Sequence, residues 1–362
     1  MKTATLTFQS TNNYGAALQC YALQKALTDL GIENDVIDYE SDFLNKPYKK
    51  EVLKEKGFIR YCLGNAYALI RSPRNKKFKE FRRNLKLSEH VTKDTIENIE
   101  EKYDKFIVGS DQVWNGSLIG YDDTYFLKFV HNQSKKLSYS ASFGFKTVPS
   151  ELEGKYMSLL DGFDYYCVRE STGVEIIDKL LGKKAYHTID PTLLLKPEDW
   201  ENVMKAPQVK DKYILVYQIE PSKHLIQVVE KLRLATGYRV IAIPFVMGAY
   251  PKAKSMFTAG PAEWIGLFRN AEYIVTDSFH GTAFSTLFNK KFWSCVDKNE
   301  SRKTSFLNQI GLENRLIYSE RSIPSGLLDD IDFTKANTVL FKERKRCLSI
   351  LKEMVLQDGE KK

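Results

Sequence analysis

Short apolar runs that read as strands alternate with helical patterns along nearly the whole chain, and this alternation narrows the fold most. In the first half the strand-like runs are 3-TATLTF-8, 35-DVIDYE-40, 104-DKFIVGS-110, 136-KLSYSAS-142, 163-FDYYCVRE-170 and 187-HTIDPTLLL-195. Helical patterns are expected at 15–30 and 171–182. A polar stretch with two prolines, 196-KPEDWENVMKAPQVKDK-212, interrupts the pattern. It then restarts with strands 213-YILVYQIE-220, 238-YRVIAIPF-245, 272-EYIVTD-277 and 291-KFWSCV-296, and helices at 222–237, 261–271 and 280–289. The chain ends in one long helical pattern, 333–357. Strands rich in Val, Ile and Leu between helices imply parallel sheets covered on both faces. The expected fold class is therefore α/β, with two Rossmann-like domains facing a cleft: 1–205, 206–330 and a C-terminal helix, 331–362, packing back on the body. Ligands of such sheets bind beyond the carboxyl ends of the strands.

The 362 residues, 43% of them apolar, are enough for two cores. The opening 1-MKTATLTFQS-10 has no apolar h-region, so no signal peptide is expected. The longest greasy stretch, 58-FIRYCLGNAYALI-70, is 13 residues and carries Arg60, short of the ~20 that span a bilayer. Five scattered cysteines without a CxxC argue against a disulfide framework or a zinc site, and a reduced, cytosolic chain is expected. The net charge of +8 comes from one segment: Lys46 to Lys86 holds 14 Lys/Arg against 3 Asp/Glu. Its core, 74-RNKKFKEFRRNLK-86, sets Phe78, Phe81 and Leu85 at helical spacing. Two readings stand: a basic amphipathic helix lying on an anionic membrane surface, or a solvated helix whose aromatics dock on its own domain. No motif supports nucleic-acid binding.

P-loop, GxGxxG, HExxH and GxSxG motifs are absent. Four polar segments at strand ends remain. In 9-QSTNNYGAALQ-19, Asn12, Asn13 and Gly15 offer a tight turn and N–H groups at a helix start, which attract anions, or merely make the connection. In 109-GSDQVWNG-116, Asp111, Gln112 and Trp114 follow an apolar strand; Trp114 stacks on a sugar ring or belongs to the core. In 168-VREST-172, Arg169 grips a carboxylate or phosphate, or makes a structural ion pair. In 276-TDSFHGTAFSTLFN-289, Asp277 or Ser278 caps a helix, and His280 and Thr282 lie in its first turn, beside unpaired N–H groups.

Together these segments resemble the polysaccharide pyruvyl transferase family. The matching features are NNYGAALQ, VGSDQVWN, the VRE…DKLLG…TIDPTLLL block, AEYIVTDSFHGTAFS and the following 302-RKTSFLNQIGL-312, in family order from about Thr5 to Leu312. The resemblance implies a fold similar to GT-B glycosyltransferases, with the active site between the domains. It implies transfer of a carboxyethylidene group from phosphoenolpyruvate to two hydroxyls of a sugar, with no further cofactor and no metal. The implied acceptor is a polyprenyl-diphosphate-linked repeat unit or a cell-wall, capsular or exopolysaccharide precursor, met at the inner face of the plasma membrane through the basic segment 46–86.

On that resemblance His280 contacts the donor and moves a proton near its phosphate, Arg169 holds its phosphate or carboxylate, and Asp111 orients or deprotonates the acceptor hydroxyl. Ser278, Gly281, Thr282, Arg302 and Lys303 fall to the donor side. Asn12, Asn13, Gly15, Gln112 and Trp114 fall to the acceptor side. One position departs from the family, where Arg-x-His is common: this chain reads Ser278-Phe279-His280. Either Arg302 or Lys303 supplies the missing charge, or the donor is held differently, or the activity has drifted. A nucleotide-sugar glycosyltransferase on the same architecture and a non-catalytic glycan-binding module are the alternatives.

Overall fold

A computed structural model describes residues 1–45, 58–244, 252–296 and 302–357. The chain divides into two units: one comprises residues 1–72, 82–194 and 343–362, the other 73–81 and 195–342. The boundary thus falls at 194/195 rather than at the expected 205/206. The long final helix is shared, its first part counting with the second unit and its last part with the first.

The first unit begins with β1 (Lys2–Leu6), α1 (Tyr14–Asp29) and β2 (Glu33–Tyr39), followed by α2 (Phe58–Arg82) and β3 (Leu87–Val91). β4 (Lys105–Val108) and β5 (Lys136–Ser138) complete a parallel sheet of order β3-β2-β1-β4-β5. β6 (Tyr166–Val168), α3 (Ser171–Leu181) and β7 (Ala185–His187) follow, the two strands pairing in parallel. Isolated bridges from Leu137 to Tyr165 and from Ala141 to Val168 join β5 to this pair. The expected strand 187–195 is corrected: beyond His187 the chain turns, with Pro191–Leu193 in a 3-10 helix capped by the Asp190 carboxylate. Pro191 has no N–H to donate to a ladder, so the strand cannot continue through it.

The second unit holds β8 (Tyr213–Gln218), α4 (Lys223–Thr236), β9 (Arg239–Pro244), β10 (Lys254–Ser255), α5 (Pro261–Asn270), β11 (Tyr273–Thr276), α6 (Phe279–Leu287), β12 (Lys291–Cys295), α7 (Arg302–Ile310) and β13 (Leu316–Ile317). Its parallel sheet runs β10-β9-β8-β11-β12-β13. The shared helix α8 spans Thr334–Leu356. Every residue of β8 and β11 is buried, which is why both read as continuous apolar runs rather than as alternating ones.

In each sheet the strand order reverses once, between β1 and β4 and between β8 and β11. At such a point the two connecting helices leave on opposite faces, and a crevice opens beyond the strands' carboxyl ends. Three of the segments that the sequence singles out, 9–19, 109–116 and 276–289, begin at or near those ends, and the fourth, 168–172, follows β6 in the two-stranded sheet.

Residues 46–57 of the basic segment lie outside the described residues. Further along, Phe78, Phe81 and Leu85 are buried. Lys77 pairs with Glu263, and Arg82 donates to the Ser10 carbonyl and the Asn12 side chain. The apolar side of 74–86 therefore packs on the protein's own body. No helix among the described residues is long and apolar enough to cross a membrane.

Candidate functional site

In the first unit, Asn13 caps α1: its backbone is extended and its side-chain oxygen accepts from the Ala16 N–H at 3.2 Å. Asn12 is exposed and tied to Arg82, while Gly15 is buried within the first turn. Asn13 is thus engaged as a cap while remaining exposed, as Ser10 and Asn12 are, with Thr11 part-exposed between them.

Beyond β4 the chain reaches Asp111, which has φ 81°, a conformation that side chains other than glycine adopt rarely and Asp more readily than most. Its carboxylate accepts from the Gln112 N–H at 2.8 Å, an arrangement that stabilises the turn. Asp111 and Gln112 are both part-exposed. The Gln112 side-chain oxygen accepts from Asn115 at 2.9 Å, and a Cβ on Gly144 would lie 2.1 Å from that same oxygen. Gly144 is needed there both for this close approach and for its positive φ of 73°.

Trp114 must be corrected. It is 0% exposed, stacked on Phe126 at 6.3 Å and edge-on to Phe163 at 5.5 Å. It belongs to the core and cannot meet a sugar. A part-exposed aromatic of this unit is Phe145, the residue after Gly144, which packs against Phe143 and Tyr156. The sequence reading missed it because Phe143 and Phe145 read equally well as core.

Arg169 also takes its structural alternative. Its side chain is 2% exposed and lies against two carboxylates, Glu170 and Asp190, each at 3.3 Å. Ser142 donates to Glu170 and Ser110 to Asp190, so the network joins the ends of four successive strands. His187 Nε2 donates to the Arg169 carbonyl at 3.0 Å, and burial holds that imidazole below its usual pKa. A guanidinium enclosed this way holds the strand ends together.

In the second unit, Ser278 is the N-cap of α6: its hydroxyl accepts from the Gly281 N–H at 3.3 Å, and it is 2% exposed. Gly281 lies hard against β11, where a Cβ would come within 2.3 Å of the Thr276 hydroxyl. Thr282 is fully buried, donating to the Ser278 carbonyl and sharing a hydrogen bond of 2.8 Å with Ser294. Gly281 and Thr282 are thus packed against the sheet, not turned to a ligand. His280, in the same first turn, is part-exposed, with Phe279 edge-on at 5.4 Å.

Lys303 is 3% exposed, and its ammonium donates to the carbonyls of Asp277 and, at 2.7 Å, Cys295. It therefore ties together the ends of β11 and β12, beneath the His280 turn. Arg302 is part-exposed at the start of α7. Asp277, which the sequence offered only as a cap, instead turns its carboxylate to the Ile219 and Glu220 N–H groups at 2.7 and 2.9 Å. Burial raises its pKa above the ordinary aspartate value.

Several solved structures share the fold. UDP-N-acetylglucosamine 2-epimerase from Rickettsia bellii is 10% identical, with a TM-score of 0.54 over 98% of each chain. The S. aureus protein MnaA, solved with UDP, is 12% identical with a TM-score of 0.54, over 100% of this chain and 99% of that one. UDP-GlcNAc 2-epimerase from Neisseria meningitidis is 12% identical with a TM-score of 0.51, over 99% of this chain and 100% of that one. At such identities the likeness concerns the fold alone, two parallel α/β sheets of the GT-B type. No curated protein matches the sequence. The family model described as polysaccharide pyruvyl transferase matches residues 13–299, which run from the cap of α1 past the His280 turn and beyond β12. The chain belongs to the polysaccharide pyruvyl transferase family.

Proposed function

We propose that this chain transfers a carboxyethylidene group from phosphoenolpyruvate to two hydroxyls of a glycan precursor in surface-polysaccharide synthesis. The observation that carries the reading is the family match, which spans most of the chain and includes the His280 turn. The methylene carbon of the donor takes a proton, and C2 becomes electrophilic. One sugar hydroxyl adds to C2, the C–O bond to phosphate breaks, and a second hydroxyl closes the ketal. One proton from the diol balances the new methyl group, and the other leaves with phosphate. Both proton movements gain from a positioned acid or base.

In this reading His280 serves the donor. It sits in the first turn of a helix, where main-chain N–H groups and the helix dipole favour an anion. Lys303 acts from below: its charge stays at the strand ends and lends the turn a positive field without touching the donor. That answers the absence of arginine at position 278 through Lys303 rather than through Ser278. Arg302 remains a direct donor contact. Asp111 serves the acceptor hydroxyl, Gln112, Asn12 and Asn13 of the same unit serve the acceptor side with it, and Phe145 takes the sugar-stacking role first given to Trp114. Arg169 keeps the strand ends in place. A lipid-linked acceptor would place the protein at a membrane face, through exposed charges such as Lys76, Lys79 and Arg83 rather than through inserted aromatics.

The test is incubation with phosphoenolpyruvate and a panel of galactosyl lipid acceptors. Phosphate release with a pyruvate-sized mass gain supports the reading. A melting temperature raised by sugar nucleotides and not by phosphoenolpyruvate supports the glycosyltransferase alternative instead.

A further inference from the structure

The switch point of the second sheet lies between β8 and β11. Two adjacent main-chain donors stand at the end of β8, the N–H groups of Ile219 and Glu220, and both point at the Asp277 carboxylate, which leads out of β11. The Asp277 carbonyl receives the buried Lys303 ammonium, which also holds the Cys295 carbonyl at the end of β12. One residue thus joins three neighbouring strand ends: through its carboxylate to β8, through its own backbone to β11, and through Lys303 to β12. The next residue, Ser278, caps α6, and His280 follows in the first turn. Any movement of Asp277 is passed to His280 across only three residues. Asp277 is itself part-exposed, and its carboxylate reaches across to main-chain donors 58 and 57 positions earlier in the chain.

We infer that Asp277 is a positioning residue that latches the end of β8 to the His280 turn and so sets the geometry in which that turn meets the donor. The inference rests on the pyruvyl-transfer reading for its kinetic consequence, but not for the latch itself. Ligand sites of open α/β sheets open at this place, between strands that feed helices on opposite faces. A crevice there that is bridged by a side chain has a fixed width. Removing the bridge lets the 219–220 segment and the His280 turn move independently, and a displacement of about 1 Å in a reacting group lowers rate by up to about a hundredfold.

The test uses the full chain as Asp277→Asn, which keeps the shape and one acceptor oxygen but loses the charge. Asp277→Ser is the second variant should the first fold poorly. Three quantities are read: hydrogen exchange at the Ile219 and Glu220 amides, diethyl pyrocarbonate labelling of His280, and steady-state kinetics in both substrates. Faster exchange at these two amides, an altered labelling rate at His280 and a tenfold to hundredfold fall in kcat/KM for phosphoenolpyruvate, with the acceptor KM unchanged, are expected. Unchanged exchange overturns the latch. Faster exchange with unchanged labelling and unchanged donor kinetics overturns the positioning role. Tighter donor binding in the variant also overturns it, because Asp277 would then be competing for the anion site. If the unaltered protein neither binds nor turns over phosphoenolpyruvate, the functional reading fails, and exchange together with His280 labelling still decides the latch.

Discussion

Arg169 donates to Asp190 at 3.3 Å in surroundings where 2% of one side chain and none of the other is exposed. Removing the guanidinium leaves Asp190 and Glu170 buried without their cation. Breaking such a pair from one side costs about 3–5 kcal/mol. Arg169→Ala is therefore expected to lose stability on that scale in urea unfolding, with activity lost in step with the folded fraction. A variant that folds normally and loses only donor affinity would return Arg169 to the donor site.

Trp114 and Phe145 should part company. Trp114→Ala empties a core position and is expected to cost about 3–5 kcal/mol. Phe145→Ala, at a part-exposed position, should cost less and raise the KM for the glycan acceptor while leaving the donor KM alone. Thermal melts and kinetics with the acceptor varied check both. Equal effects of the two variants on stability, with none on acceptor KM, would count against Phe145.

The Ser278 hydroxyl caps α6, and replacing a capping serine by alanine costs about 1 kcal/mol. Ser278→Asp keeps an acceptor and should hold stability near that of the unaltered chain. Ser278→Arg restores the residue common in the family but removes the cap, and is expected to melt at a temperature close to that of Ser278→Ala. Unfolding midpoints of the three variants decide this.

His280 lies in the first helical turn and is part-exposed as a residue, with its Nε2 end buried, and glutamine fills a similar volume. His280→Gln is expected to lower kcat about 100- to 10,000-fold, the usual range for a lost general acid or base. The melting temperature should stay nearly constant. A loss of less than about threefold under saturating substrates would remove His280 from the chemistry.

Burial raises the Asp277 pKa in the folded state above its unfolded value. The folded protein then holds this proton more tightly than the unfolded chain. The corresponding stability is fully present below the unfolded pKa, near ~3.9, and is lost as pH rises through the higher folded value. The difference in unfolding free energy between the unaltered chain and Asp277→Asn should therefore shrink as pH rises from about 4 upward. Urea unfolding of both proteins at a series of pH values checks it. A difference that widens with pH over that window would mean that the hydrogen bonds from Ile219 and Glu220 outweigh burial.

Much of the architecture was legible in the strands. Runs such as 213-YILVYQ-218 and 273-YIVT-276 are apolar without alternation because both faces of a parallel sheet are covered. Helix limits were also near the mark: α1 was expected at 15–30 and forms at Tyr14–Asp29, and the last helix was expected at 333–357 and forms at Thr334–Leu356. Segments whose apolar residues serve turns were misread. In 187-HTIDPTLLL-195 the Leu residues pack, but Asp190 and Pro191 stop the strand.

Which residues stand at strand ends is legible in the amino-acid order alone, because a strand's end is written locally, in the change from apolar runs to Asn, Asp, Ser and Gly. That order also carried the family, because ordered motifs persist along the chain. It could not decide which of those polar residues are turned outward. Arg169, Trp114, Thr282 and Lys303 have the chemistry of ligand-binding groups, yet each is enclosed by partners distant in sequence: Asp190, Phe163, Ser294 and the Asp277 carbonyl. Burial and pairing are properties of the packed chain, and a buried charge or indole is set by what surrounds it in space. The packed chain alone shows that Asp277, in the sequence no more than a candidate cap, joins β8 to the turn that carries His280.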